Sequence, residues 1–271
     1  MSVLLYAVVC GVMGVTQLRD IIYIVCAGSS EIIRFDTVTR QRLADITVKD
    51  LRVPCDIAAC QQTDQLYVAD CPRIAAGCVW RVSSEGHHIK HWLPKSSSDT
   101  IRPHALSVTS SRLLVTSLDT NQLRQFDAVG DELRHVDLPR YMTPEHAVES
   151  PTGTFIVSHY IAQLDTQLKQ YQVSEVNTGG RVLRQFTGSR LLPLGDTPHV
   201  AVAQGNIFVA DESNGCILLL NSELTLLRVI IDEHQLNYKK PRRLCYIEQS
   251  GQLFVGFLGD RVVTVFDVLR R

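Results

Sequence analysis

The sequence predicts an all-β protein, a six-bladed β-propeller of four-stranded antiparallel blades with its ring closed by the N-terminal strand. Two observations carry that reading. A short apolar second strand recurs six times, as Ile22-Tyr23-Ile24-Val25, Leu66-Tyr67-Val68-Ala69-Asp70, Leu113-Leu114-Val115-Thr116, Phe155-Ile156-Val157-Ser158, Ile207-Phe208-Val209-Ala210-Asp211 and Leu253-Phe254-Val255-Gly256. The central residues 23, 67, 114, 156, 208 and 254 lie 44, 47, 42, 52 and 46 apart. A third strand repeats in step with it: Ile33-Arg34-Phe35-Asp36, Trp80-Arg81-Val82, Arg124-Gln125-Phe126-Asp127, Lys169-Gln170-Tyr171, Leu218-Leu219-Leu220 and Thr264-Val265-Phe266-Asp267. Two motifs in phase at a period of roughly 40–50 residues mean a propeller or a similar array.

The stretch from Thr197 to Asp232 shows one whole unit. Pro-His-Val-Ala-Val enters, Asn-Ile-Phe-Val-Ala-Asp returns after a Gly-Asn turn, Cys-Ile-Leu-Leu-Leu follows Ser-Asn-Gly, and Leu-Leu-Arg-Val-Ile closes. Apolar runs of this length, bounded by Gly, Asn and Asp, are strand and hairpin signals. One such sheet cannot bury both of its faces alone, so the units must stack. In chain order the blades are expected near 10–48, 55–94, 103–139, 144–187, 197–232 and 242–268, with an insertion from Tyr160 to Thr166 in the fourth. The sixth unit shows only three strands, and residues 2–9 are expected to supply its fourth. That apolar start carries no Lys or Arg before Arg19, which argues for a closing strand over a secretory signal. Linkers are short, polar and often contain Pro, so residues 1–271 read as one propeller domain.

With 271 residues, a formal net charge of -1 and 45% hydrophobic residues, the chain can fill a large core. Near-neutrality argues against nucleic-acid binding by bulk charge, though not against a local basic face. No run of 18 apolar residues is present, so no membrane span is expected. Eight cysteines stand at 10, 26, 55, 60, 71, 78, 216 and 245, several within strand patterns where free Cys acts as a small hydrophobe. They are read as reduced thiols of a cytoplasmic monomer, with Cys71 and Cys78, which flank one loop, as the exception. The absence of any Asn-x-Ser/Thr acceptor agrees with that location.

The unit Pro-x-x-(apolar)-Ala-Val, then Gly-Asn-Ile-Phe-Val-Ala-Asp, then Asn-Gly and an apolar third strand resembles the NHL repeat, which builds six-bladed propellers. The match is close over 197–221 and good for Pro54-Cys55-Asp56-Ile57-Ala58 with Gln65-Leu66-Tyr67-Val68-Ala69-Asp70. It is looser at Phe155-Ile156-Val157-Ser158-His159 and at Gly256-Phe257. The resemblance covers essentially the whole chain. It implies a recognition module like the C-terminal domain of TRIM-NHL ubiquitin ligases, which binds protein or RNA. No Cys/His zinc-finger spacing or coiled coil is present, so no ligase activity is expected of this chain.

Three histidines recur at the start of innermost strands, His104 in Arg-Pro-His-Ala-Leu, His146 in Pro-Glu-His-Ala-Val and His199 in Thr-Pro-His-Val-Ala. They are expected at the channel mouth. Three imidazoles with an open position is a catalytic zinc arrangement, and it resembles the channel site of the propeller lyase that cleaves amidated-peptide precursors. That site uses non-adjacent blades, however, and His146 stands one residue out of the frame set by the other two. No Tyr/Arg pattern accompanies the histidines, so a non-catalytic rim is the preferred reading, with no metal and no cofactor. His87, His88 and His91 match no zinc spacing and read as a solvated outer strand. Asp70, Asp211 and Asp260 are read as ends of second strands that accept backbone hydrogen bonds in the following turn.

A basic cluster, Lys239-Lys240-Pro241-Arg242-Arg243, enters the sixth unit on the face built by the second-to-third and fourth-to-first loops. Arg73 and Arg102 fall on the same face, where Tyr141 and Tyr238 could stack on bases. Acidic residues are interleaved with them, which suits a solvated rim or a protein contact. No Gly-rich phosphate loop, Gly-x-Ser-x-Gly or His-Glu-x-x-His is present, and no catalytic residue is assigned. The expectation is a non-catalytic interaction module, with protein as the first partner and single-stranded RNA as the alternative. A metal-dependent propeller lyase or hydrolase with a channel site is the third reading. Neither DNA nor membrane is expected as a partner.

Overall fold

The computed structural model describes residues 3–6, 11–72, 76–93, 101–110, 112–117, 119–162, 168–188, 193–196, 199–203, 205–248, 250–257 and 259–268. They form six four-stranded antiparallel sheets arranged as a propeller. The chain opens with β1 (Val3–Tyr6). Blade one is β2 (Val12–Leu18), β3 (Ile21–Cys26), β4 (Glu31–Asp36) and the short β5 (Ile46–Thr47). Blade two is β6 (Pro54–Cys60), β7 (Gln65–Asp70), β8 (Cys78–Ser83) and β9 (Ile89–Leu93). Blade three is β10 (Pro103–Thr109), β11 (Arg112–Ser117), β12 (Gln122–Phe126) and β13 (Glu132–Asp137). Blade four is β14 (Thr143–Glu149), β15 (Phe155–Ala162), β16 (Lys169–Val176) and β17 (Val182–Phe186). Blade five is β18 (His199–Ala203), β19 (Asn206–Asp211), β20 (Cys216–Leu220) and β21 (Leu226–Ile231). Blade six is β22 (Pro241–Ile247), β23 (Gln252–Phe257) and β24 (Val262–Asp267), completed by β1.

Ring closure is made as the sequence predicts. β1 pairs antiparallel with β24 from Val3 opposite Val265 to Tyr6 opposite Val262, so the first strand of the chain becomes the outer strand of the last blade. This pairing removes a free sheet edge at β24. Among the described residues no helix is long and apolar enough to cross a membrane.

The core is divided between neighbours. Ile22, Ile24 and Phe35 of blade one pack with Phe254, Val263 and Val265 of blade six, and Tyr23, Val25 and Ile32 pack with Leu66 and Val68 of blade two. Clusters of the same kind join the remaining pairs of adjacent blades. Each sheet is therefore covered on both faces, which is why the second strands read as unbroken apolar runs instead of alternating ones. The polar tip of Tyr23 finds a partner inside this packing, its Oη donating to Ser84 O of the next blade at 3.0 Å.

The aspartates after the second strands act partly as expected. Asp211 accepts from the Asn214 amide in the following turn at 3.0 Å and also from Gly195 N at 3.3 Å. Asp70 instead reaches back to the linker before its blade, accepting from Val53 N at 2.7 Å and Arg52 N at 3.2 Å. Asp260 lies beyond the end of β23 and pairs with Lys239 at 2.6 Å.

Candidate functional site in the central channel

The first strand of each blade is innermost, and its start is shaped by a bulge. The pairing register slips between Val12 and Gly14, Pro54 and Asp56, Pro103 and Ala105, Pro144 and His146, and Pro241 and Arg243. One extra residue in a strand bends it and re-aims the side chains on either side. In blade five the described pairing begins with His199 directly opposite Ala210. Counted from the partner strand, Gly14, Asp56, Ala105, His146, His199 and Arg243 are equivalent, since they face Val25, Ala69, Thr116, Ser158, Ala210 and Gly256. His104 is the bulged residue of its strand, in the place of Glu145 one blade later. The frame read from sequence is thus reversed: His146 and His199 belong together and His104 stands apart.

The four equivalent residues with side chains beyond Cβ line the inner end of a channel cavity of about 680 Å³. Its walls are mixed, with apolar Ile57, Leu106, Val108, Val148, Val202 and Leu244 beside Thr16 and Ser107, and the lining extends to Gln17, Arg19, Asp20, Gln61 and Glu248 around the first-to-second strand turns. The bulged residues Met13, Cys55, His104, Glu145 and Arg242 do not line it.

Each of the four links its blade to a neighbour. Asp56 accepts from Leu106 N at 2.8 Å and from Ile57 N at 2.9 Å. His146 Nδ1 accepts from Val200 N at 3.4 Å, and its ring also hydrogen-bonds the Leu106 backbone. His199 Nδ1 accepts from Leu244 N at 3.3 Å. Arg243 donates from Nε to Met13 O at 2.6 Å and from Nη2 to Cys55 O at 3.2 Å. The His146 and His199 rings stack with centroids 3.7 Å apart and planes at 17°. His199 Nε2 is buried and has no hydrogen-bond partner among the described residues.

Burial governs the charges. It pushes the Asp56 carboxyl up to about 6, against the pull of Arg243 and two backbone amides. Burial, with Arg243 adding to it, holds His146 down at about 3. The same cause, reinforced by His146, keeps His199 well below the usual histidine range. Arg243 is lowered by burial too, but a guanidinium stays protonated. At neutral pH the floor therefore holds two neutral imidazoles, the fixed Arg243 cation and a largely ionised Asp56 carboxylate.

Asp56, His146 and His199 each offer a ligand atom, and these atoms lie within 4.8 Å of one another. The hydrogen bonds argue against a cation there. In a neutral imidazole an Nδ1 that accepts from a backbone amide leaves the proton on Nε2. A metal at Nε2 would have to displace that proton or break the amide contact, next to the Arg243 charge. What the floor offers is donors: the His199 Nε2–H and the Arg243 guanidinium.

The remaining predicted site residues are scattered. His104 meets Glu145 at 3.3 Å, outside the cavity lining. Arg102 pairs with Asp119 at 3.1 Å, Lys239 pairs with Asp260 at 2.6 Å, and Lys240 donates to Ser213 O at 2.7 Å. Tyr141 and Tyr238 are exposed, the latter bonded to His234 Nδ1 at 2.7 Å. Arg242 is half-buried, and Arg73 lies outside the described residues. Arg243 turns inward to the channel, and the acidic and backbone acceptors around the others leave little of a basic face. Sequence reasoning missed the channel roles of Asp56 and Arg243. A signal was there, since Asp56, His146 and Arg243 each stand two residues after the proline that opens the strand.

No family model and no curated protein matches the sequence, so the likeness to the NHL repeat stays one of pattern. Solved structures do match. A gluconolactonase from Xanthomonas campestris aligns at 12% identity and TM-score 0.70, covering 97% of this chain and 88% of its own. Virginiamycin B lyase from Staphylococcus aureus aligns at 11% identity and TM-score 0.67, with 98% of both chains covered. The WD40 propeller domain of Doa1 aligns at 13% identity and TM-score 0.62, with 97% of this chain and 95% of its own covered. At such identities the shared property is the propeller fold alone.

Proposed function

We propose that the protein binds a small organic molecule in its central channel, with an apolar body along the walls and a hydrogen-bond acceptor, best a carboxylate, at the floor. The observation that supports this reading is the buried, unpartnered His199 Nε2 beside Arg243 at the inner end of a cavity of about 680 Å³. A cavity of that size suits a drug-sized ligand, with a few polar groups fixing its orientation. Catalysis by proton transfer fits less well. His146 is held at about 3, far from the operating pH of a general base, and both Asp56 oxygens already accept backbone amides, from Ile57 N and Leu106 N. Recognition is therefore the role proposed, in agreement with the non-catalytic module expected from sequence but at a different place on the molecule.

Calorimetric titration with size-matched aromatic carboxylates, alcohols and amines tests this. Carboxylates should bind best and amines not at all. His199→Asn can keep an acceptor for Leu244 N while removing the inward donor, and it should weaken carboxylate binding about tenfold. Val148→Trp, which fills the channel from a half-exposed wall position, should abolish it. Equal binding of all three classes, or binding indifferent to Val148→Trp, would end the proposal.

The loop face supports a second reading, a protein partner. Tyr141 and Tyr238 are 55% and 65% exposed there, while Arg102, Lys239 and Lys240 already have local acceptors, which favours protein over RNA. Affinity capture with Tyr141→Ser/Tyr238→Ser should lose ribonuclease-resistant protein partners. Partners retained by the double variant, or lost to ribonuclease with the native chain, would refute this second reading.

A further inference from the structure

Cys55 is the bulged residue of β6, and Cys71 is the first residue after β7. The ladder between these strands runs one step past Pro54 opposite Asp70, because Cys71 N donates to Val53 O at 3.0 Å. The two cysteines are thereby neighbours across adjacent strands, on one apolar cluster. The Cys55 thiol lies 3.4 Å from Val53 O, the same carbonyl that accepts from Cys71 N. Cys55 is buried and Cys71 half-exposed. The positive field of the Arg102 guanidinium and of His104 reaches the Cys71 sulfur and favours its thiolate.

We propose that Cys71 and Cys55 form a peroxide-reactive dithiol, Cys71 as the attacking thiolate and Cys55 as the thiol that resolves it to a disulfide. The Cys71 thiolate attacks one oxygen of hydrogen peroxide. The O–O bond breaks, the departing oxygen takes a proton to leave as water, and Cys71 becomes a sulfenic acid. The Cys55 sulfur then attacks that sulfur, a second water leaves, and an S–S bond joins them. The two sulfurs lose two electrons in all and the peroxide gains them.

The electrostatics divide the roles. Cys71 is lowered to about 6, first by the Cys55 hydrogen bond and then by Arg102 and His104, while Cys55 is raised by its bond to Cys71 and by burial. Cys78, which flanks the same loop, does not belong to the pair. It lies directly opposite Asp70, and burial together with that carboxylate pushes its thiol up to about 12. Cys71 and Cys78 are equally half-exposed, so their surroundings divide them: a thiolate beside cations is the reactive kind, and a thiol facing a carboxylate is inert. The pair sits one residue from Asp56, and Arg243 donates to the Cys55 carbonyl at 3.2 Å, so the bond would form at the outer side of the channel floor.

The experiment uses the full chain, reduced and then exposed to a few equivalents of hydrogen peroxide, with remaining thiols blocked by N-ethylmaleimide. Cleavage before Asp56, Asp64 and Asp70 and after Arg73 separates positions 55, 60, 71 and 78, so non-reducing mass spectrometry identifies the linked pair. The expected product joins 55 to 71, is absent in Cys71→Ser and persists in Cys78→Ser. Before oxidation, Cys71 should alkylate with iodoacetamide at pH 7 at least tenfold faster than Cys78. Should Cys71→Ser fail to fold, the mapping and the rate ratio on the native chain decide by themselves. A link between 71 and 78, an unlinked Cys71 after peroxide, or equal alkylation rates would overturn the assignment.

Discussion

Gly14 occupies the same ring position as Asp56, His146, His199 and Arg243, and it is glycine because blade two passes too close for a side chain. A Cβ there would come within 2.7 Å of Ile57 N and 3.0 Å of Asp56 Cα, both backbone atoms that cannot step aside. Gly14→Ala should therefore cost about 1–3 kcal/mol by overpacking. An unchanged urea midpoint would contradict this. The neighbouring titratable groups set the pH response. His146 and His159 are held at about 3 and about 4 by burial and His199 well below its usual value, so the unfolded chain takes up protons there that the folded chain refuses. Their stabilising effect is complete above the unfolded histidine value and is lost as pH falls from about 6.5. Asp56 works the other way, because its carboxyl is raised to about 6 and protonates in the folded state first. Three histidines outweigh one aspartate between pH 7 and 5. The urea midpoint should be lower at pH 5, by up to about 1.4 kcal/mol per pH unit for each net proton, and His199→Asn should flatten the slope. A midpoint equal or higher at pH 5 would rule the account out.

At the scale of the element, the bulge at the head of each inner strand decides what faces the channel. It turns one residue aside in five blades, and His199 reaches the ring one residue after its proline where His146 stands two residues after. The other decisive element is β1. Its ladder with β24 supplies the fourth strand of blade six, and removing it exposes the edge of β24. Deletion of residues 1–9 should lower the melting temperature sharply and produce association that grows with protein concentration, because an uncovered strand edge pairs with other chains. A truncated chain that melts like the native one would show that the closure adds little.

For the whole molecule, the sharing of every core cluster between adjacent blades makes the ring one cooperative body. A blade that unfolds strips the apolar cover from both neighbours. Both tryptophans, Trp80 and Trp92, lie in blade two, so their fluorescence reports that blade while far-ultraviolet dichroism reports all strands. The two urea transitions should coincide, as they do for a two-state domain. Fluorescence leading dichroism would mean that blade two opens on its own.

The sequence by itself determined the strand content, the number of blades, their phase and the closing role of the first strand. These follow from apolar runs and turn residues repeated along the chain, signals that add up over many positions and do not depend on any one. Only the tertiary structure decided which side chains meet. Whether His104 or His146 joins His199 depends on a single-residue slip between paired strands. Arg243, which reads in sequence as one more member of a basic cluster, turns inward because its N–H groups donate to Met13 O of the next blade and Cys55 O of the one after. Cys71 meets Cys55 across a strand pair instead of Cys78 across its own loop. Burial is written in the pattern of the chain, whereas a site is written in register, and register is settled by partners distant in sequence.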